Sequence, residues 1–283
     1  MKGSLIPRPG LDTGCLWIHD APVVSVRVHA DGRAVWSEDA RGVIRFGTVV
    51  AGGAGTALQI GDGRGRSVAG AAWLVAVDGG ELRFVHLHQG AVTRTWRGRG
   101  EVRSVALSSD GLDLGVVDDA GVTWMRAATG RVTAQLGDPS VAAVASAGQG
   151  AWWVFPAWSP NGDQPEATGD RAVWHRSALR WVPGAEPAEV LGGMAVAARR
   201  VAWRADAAWS IATTTFVDTP LLDLDVDGGG LVMLDSQGLW SEGSGGALEE
   251  RGAWQVAAAH PRGEHWVVGD DDGAVRIVPR RVR

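Results

Sequence analysis

Short apolar runs recur along the chain, each separated from the next by a polar turn that ends in glycine. Gly32 and Gly42 bracket RAVWSEDAR, Gly70 and Gly80 bracket AAWLVAVDG, and Gly111 and Gly121 bracket LDLGVVDDA. Gly228 and Gly238 bracket GGLVMLDSQ, and Gly263 and Gly273 bracket EHWVVGDDD. The two glycines stand ten residues apart in all five cases. That fixed offset predicts an apolar strand, a turn, a second strand, a turn and a third strand. The third strands alternate: Ile44 with Phe46, Leu82 with Phe84 and Val275 with Ile277 flank Arg45, Arg83 and Arg276. A period of two belongs to a strand with one face better buried than the other.

The second glycine advances from 42 to 80 to 121, and later from 238 to 273, a period of roughly 35 to 41 residues. A period near ~40 with about four short strands per unit is the sequence mark of β-propeller blades. The strand ahead of each first glycine is small and aliphatic, as in VVSVRV (23–28), VRSVAL (102–107), VAAVAS (141–146) and QVAAA (255–259). Such strands suit the narrow centre of a propeller, where large side chains would collide. Middle strands such as Trp73–Val77 and Trp266–Gly269 are bulkier, which fits faces packed between neighbouring blades.

The last unit supplies three strands before VPRRVR, and Cys15–Ile18 is a spare strand ahead of the first unit. Pairing the two would seal the ring and remove exposed sheet edges. Two units between residues 141 and 219 are worn. One holds VAAVASAGQGAWWVFPAW, then RAVWH and ALRWV, with a polar insertion at about 157–171; the other, MAVAARRVAWRADAAWSIATTT, is compressed. Counting both gives seven blades and merging them gives six. The expected architecture is therefore a single all-β domain over 1–283, a seven-bladed (alternatively six-bladed) β-propeller of four-stranded blades, with the N-terminal strand completing the last.

Composition agrees with one globular domain: 283 residues, 45% hydrophobic, 21% charged, and 41 glycines for tight turns. A net charge of −5 gives no general attraction to nucleic acid or to anionic lipid. Lys2 is the only lysine, so arginine carries nearly all the positive charge. Arginine pairs bidentately and stacks on rings, which favours contact surfaces, although GC-rich coding gives the same bias. Cys15 is the sole cysteine, so neither an internal disulfide nor a cysteine-based zinc site can form. The opening MKGSLIPRPG has no apolar run of signal-peptide length, and no stretch reaches the ~18 apolar residues of a membrane span. The cytoplasm is the expected compartment.

At these residues the chain resembles the WD-repeat propellers. HADGRAVWSEDARGVIRF (29–46), SSDGLDLGVVDDAGVTWM (108–125) and HPRGEHWVVGDDDGAVRI (260–277) look like that family's strand-turn-strand core. The Trp-Asp pair that names the family is absent: Gly47, Val85, Arg126 and Val278 stand where Trp would. The Gly-His pair is also missing, with only His19-Asp20 echoing it. The resemblance implies a divergent WD-like propeller, a rigid platform for protein partners, and it transfers no catalytic residue.

In a WD-like topology the turns joining second to third strands share one face with the loops joining consecutive blades. The turns are acidic (Glu38-Asp39, Asp118-Asp119, Asp270–Asp272), and the loops GDGRGR (61–66) and RGRG (97–100) are basic. Arg64, Arg66, Arg97 and Arg99 together could dock an acidic partner surface or a phosphate. Alternatively they pair with the turn carboxylates, where exposed pairs contribute only about 0–1 kcal/mol. The Asp270–Asp272 run lacks the spacing of a calcium loop and reads as a hairpin turn. Fifteen tryptophans fill the chain. Trp158, in the insertion PAWSPNGDQPEATGD, and Trp174 after it are candidate partner contacts, since Trp and Arg dominate interface hot spots; the other reading packs Trp158 back on its own blade. His86 and His88 share a strand face, but no third metal ligand can be placed beside them.

No phosphate loop, G-x-S-x-G or Cys–His pairing is present, so no catalytic, cofactor or metal residue is assigned. The expected function is a noncatalytic protein–protein interaction scaffold, one subunit of a bacterial multiprotein complex, with no cofactor and with another protein as partner. The alternative is a propeller enzyme or cofactor binder, a lactonase-like hydrolase or quinone-dependent dehydrogenase. For that class, Asp223 and Asp225 are the chief polar residues on the inner strands.

Overall fold

The structure is a computed structural model. It describes residues 14–156 apart from 30–31, 50–54, 70–71, 88, 109 and 149, and then 172–181, 188–197, 200–204, 221–227, 230–241, 248–260 and 264–280.

Every described element is a strand. After β1 (Cys15–Ile18) comes a sheet of β2 (Val23–Val28), β3 (Ala34–Asp39), β4 (Val43–Thr48) and β5 (Thr56–Gln59). The next sheets are β6 (Val68–Ala69), β7 (Trp73–Asp78), β8 (Glu81–His86) and β9 (Ala91–Arg97), then β10 (Ser104–Leu107), β11 (Asp113–Asp118), β12 (Gly121–Arg126) and β13 (Val132–Leu136). A longer sheet follows: β14 (Val141–Gly148), β15 (Ala151–Pro156), β16 (Ala172–Trp181), β17 (Ala188–Ala197) and β18 (Arg200–Arg204). Then come β19 (Leu221–Asp227), β20 (Gly230–Asp235), β21 (Gly238–Ser241) and β22 (Leu248–Arg251). Last are β23 (Val256–Ala259), β24 (His265–Gly269) and β25 (Ala274–Pro279), joined by β1 in the order β1-β25-β24-β23.

Paired strands in every sheet run antiparallel, and the tight hairpins such as β3–β4 are closed by short turns built for reversal. At Gly42 the backbone has φ +77°, and an added Cβ would lie 2.0 Å from the Gly61 carbonyl oxygen. Only glycine tolerates that conformation and that approach. The ten-residue glycine spacing of the sequence is thus the length of one strand plus its two turns.

First strands of successive sheets lie against one another: β2 on β23, β6 on β10, β10 on β14, and β19 on β23. This is the arrangement of sheets set radially about a common axis. The core lies between the sheets. Trp36, Ile44 and Ile60 meet Leu74, Ala76 and Val85, and Val75, Leu82 and Phe84 meet Leu114, Val116 and Met125. Val117 and Trp124 meet Val144 and Trp152, while Leu234 and Leu239 meet Ala257, Trp266 and Val268.

The spare strand β1 does lie on the carboxy-terminal strands. It pairs antiparallel with β25, Trp17 opposite Val275 and Ile18 opposite Ala274, and the Ile277 amide donates to Gly14 O at 2.7 Å. Leu16 and Trp17 reach past their own sheet into a cluster with Val26 and Val35 of the first. A Cβ on Gly47 would come within 3.4 Å of the Trp17 ring. So Trp17 covers the third-strand position from which the WD-type Trp is missing.

One expectation is redrawn. Among the described residues, the two worn units contribute to one five-stranded sheet, and AVWHRSALRW is one continuous strand, β16, rather than two short pieces. The insertion at 157–171, with Trp158, lies outside the described residues.

Candidate protein-docking face

The turns after the second strands and the loops between sheets are bonded to each other. The amides of Ile60 and Gly61 donate to Gly42 O, Gly98 N donates to Gly80 O, and His19 N donates to Gly273 O. In these three sheets the turn after the second strand is thus tied to the adjoining loop.

Carboxylates build these turns. Asp39 Oδ1 accepts from the amides of Arg41 and Val43, both at 2.9 Å. Asp118 Oδ1 accepts from Ala120 N at 2.9 Å and Asp270 Oδ1 from Ala274 N at 2.8 Å. Asp39 also faces a buried polar chain. Trp17 Nε1 donates to Ser37 Oγ at 2.8 Å, and His19 Nε2 lies 2.7 Å from the same hydroxyl. The other ring nitrogen of His19, Nδ1, lies 3.3 Å from Asp39 Oδ2. Burial holds the His19 pKa below the usual imidazole range, ahead of the opposing pull of Asp39. His19 is thus neutral at pH 7.

Glu38 and Asp39 look like an exposed acidic turn in the sequence, yet both are buried. Glu38 reaches into the next loop: Gly63 N donates to Oε1 at 3.0 Å and Ser67 Oγ to Oε2 at 2.8 Å. Burial pushes its pKa up, and the Ser67 and glycine hydrogen bonds only partly offset this. A carboxyl with a raised folded pKa stabilises the fold most below its unfolded value, and that contribution is lost as pH rises through the folded value. In Glu38→Gln the term vanishes. The unfolding free energy of the wild type relative to this variant is therefore expected to be larger at pH 5 than at pH 7, as read by urea denaturation.

The four arginines divide. Arg66 pairs with Asp62 and, at 3.5 Å, with Glu101, and its side chain is only 10% exposed. Asp62 in turn accepts from Gly79 N at 3.3 Å, so Arg66 ties one blade's loop to the next blade's turn. Arg64 also pairs with Glu101 but is 61% exposed, and Arg97 lies 3.6 Å from Glu81 with 83% of its side chain exposed. Arg99 is exposed, its backbone amide donating to Asp118 Oδ2 at 2.9 Å. Trp174 is placed by its backbone only, on β16 opposite Ala195.

Other candidates settle elsewhere. Buried Asp223 accepts from Ala257 N at 3.0 Å, joining β19 to β23. His86 packs edge-on against Trp73, and His88 lies outside the described residues. Asp270–Asp272 forms no metal-holding group among the described residues.

No protein-family model and no curated protein matches the sequence. Solved structures do. The chain aligns with U3-55K at a TM-score of 0.60 and 12% identity, covering 94% of this chain and 97% of that one. It aligns with the WD40 repeats of RRP9 at a TM-score of 0.58 and 12% identity, over 94% and 97%. The fold is a WD-repeat-like β-propeller. Arg64 and Arg99 stand in the loops between its first three sheets and Arg97 ends β9, all three exposed.

Proposed function

We propose that this WD-like propeller is a noncatalytic scaffold, a subunit of a bacterial multiprotein complex working in the cytoplasm. Its platform is a sealed disc of seven blades, or six if the worn units count once, closed where β1 completes the last sheet. An acidic surface of another protein docks on the loop face through Arg64, Arg97 and Arg99. Arg66 sets the loop in place, and the 157–171 insertion with Trp158, next to Trp174, provides a second contact. The observation that carries this reading is the set of exposed guanidinium groups in and beside loops braced by buried carboxylates. Among the described residues, Arg64 and Arg97 are held by ion pairs in which the guanidinium group is well exposed, worth about 0–1 kcal/mol, which a partner's carboxylates can replace at little cost.

The test is affinity capture from the native host with the wild type, with Arg64→Glu/Arg97→Glu/Arg99→Glu, and with Arg131→Glu. Arg131 is exposed beside the turn that joins a third strand to a fourth, at the other end of the strands. The wild type and Arg131→Glu should recover the same stoichiometric protein, and the triple reversal should recover at least about tenfold less. Equal recovery by the triple reversal, or no stoichiometric partner for any of the three, would overturn the proposal.

A further inference from the structure

We infer that the β23–β24 hairpin carries a zinc site made by His260, Glu264 and His265. The hairpin creates it. Ala259 pairs with Trp266, and in the next position His260 N donates to His265 O at 3.0 Å, so the two histidines face each other across the strand ends. Their rings lie 4.4 Å apart at 33°. Glu264 adds a carboxylate oxygen 3.9 Å from His260 Nδ1. One donor atom from each residue lies within 4.8 Å of the others, and this is the only such group among the described residues. Donors around a tetrahedral zinc stand about 3.4 Å apart, given metal–ligand distances of about 2.1 Å, so small side-chain rotations would bring the three together.

Two further features point to a cation. His265 Nε2 is buried and has no hydrogen-bond partner among the described residues. Such an atom is costly to leave unsatisfied. The second feature is at Gly32 in the neighbouring blade, where φ is +75° and an added Cβ would lie 2.0 Å from His260 Nε2. The Nε2 edge of His260 is thus packed against backbone, and Nδ1 is the nitrogen turned toward Glu264.

Two imidazoles and one carboxylate suit Zn²⁺, with water in the fourth position. The site lies at the opposite end of β24 from the Asp270 turn, and so away from the arginine loops. It does not depend on the docking proposal. Bound metal would pin the hairpin of the sheet that β1 completes, and would stabilise the fold by mass action.

The experiment is calorimetric titration of the chelator-treated full chain with zinc chloride. The wild type and the control His86→Ala are expected to bind about one ion per chain, with a rise in melting temperature. His265→Ala and Glu264→Gln, at half-buried and exposed positions, should each weaken binding by more than about tenfold while keeping the wild-type circular dichroism. Substituted Co²⁺ should give a visible absorption band in the wild type that both variants lose. No binding by the wild type, or undiminished binding by both variants, would overturn the assignment.

Discussion

Trp17→Ala is expected to lower the unfolding free energy by about 3–5 kcal/mol, the usual cost of emptying a buried tryptophan site. The argument rests on where this residue stands. Trp17 belongs to β1, which hydrogen-bonds to the last strand of the chain, yet its ring packs into the cluster shared with the first complete sheet. Removing it leaves a cavity at the seam between the two ends of the sequence. It also removes the indole N–H that Ser37 accepts. Trp17→Phe helps to separate these terms, since it keeps most of the packing and loses the hydrogen bond, about 1 kcal/mol, together with a small part of the cavity cost. Urea denaturation of the three proteins reads the difference. A cost below ~1 kcal/mol for Trp17→Ala would mean that the seam does not hold the fold together.

Asp39→Ala is expected to cost about 3 kcal/mol. One buried carboxylate accepts from two turn amides and faces His19. Each buried donor left without an acceptor costs about 1–3 kcal/mol. Asp39→Asn retains an acceptor oxygen for the turn and should lose less than half as much. Asp272→Ala, in an acidic turn of the same kind but exposed, should change stability by less than ~0.5 kcal/mol in the same denaturation series.

What could be read from the sequence follows the range over which each constraint acts. The hairpins were legible because a positive φ forces glycine at a fixed place, as at Gly42, and because a half-buried strand alternates, as Ile44, Arg45 and Phe46 do. The spare strand Cys15–Ile18 was legible by counting. Contacts between distant residues were not. Nothing around Gly47 announces that a tryptophan thirty positions earlier covers it. Glu38 and Asp39 read as surface acids because they adjoin a turn, and only the folded chain shows that Ser67, Gly63 and two turn amides take them inside. The worn stretch misled because its glycines, Gly150 and Gly162 among them, do not keep the ten-residue offset, so β16 looked like two pieces. The arginine group was legible as a cluster, but its division into a buried tie, Arg66, and exposed heads, Arg64 and Arg97, depends on where Asp62 and Glu101 sit. The histidine pair at the ends of β23 and β24 passed unnoticed, although six consecutive residues, H-x-x-x-E-H, set it out in order.

Every assignment of faces depends on β1 sealing the last sheet, and amide hydrogen exchange along β25 tests this most directly. If β1 covers that strand, the β25 amides turned toward it, Ile277 among them, should exchange as slowly as those of β24 in the wild type and markedly faster in Trp17→Ala. If they instead exchange at the rate of an open sheet edge, and Trp17→Ala makes no difference, the ring is not joined at this strand and the loop face proposed here is not a single surface.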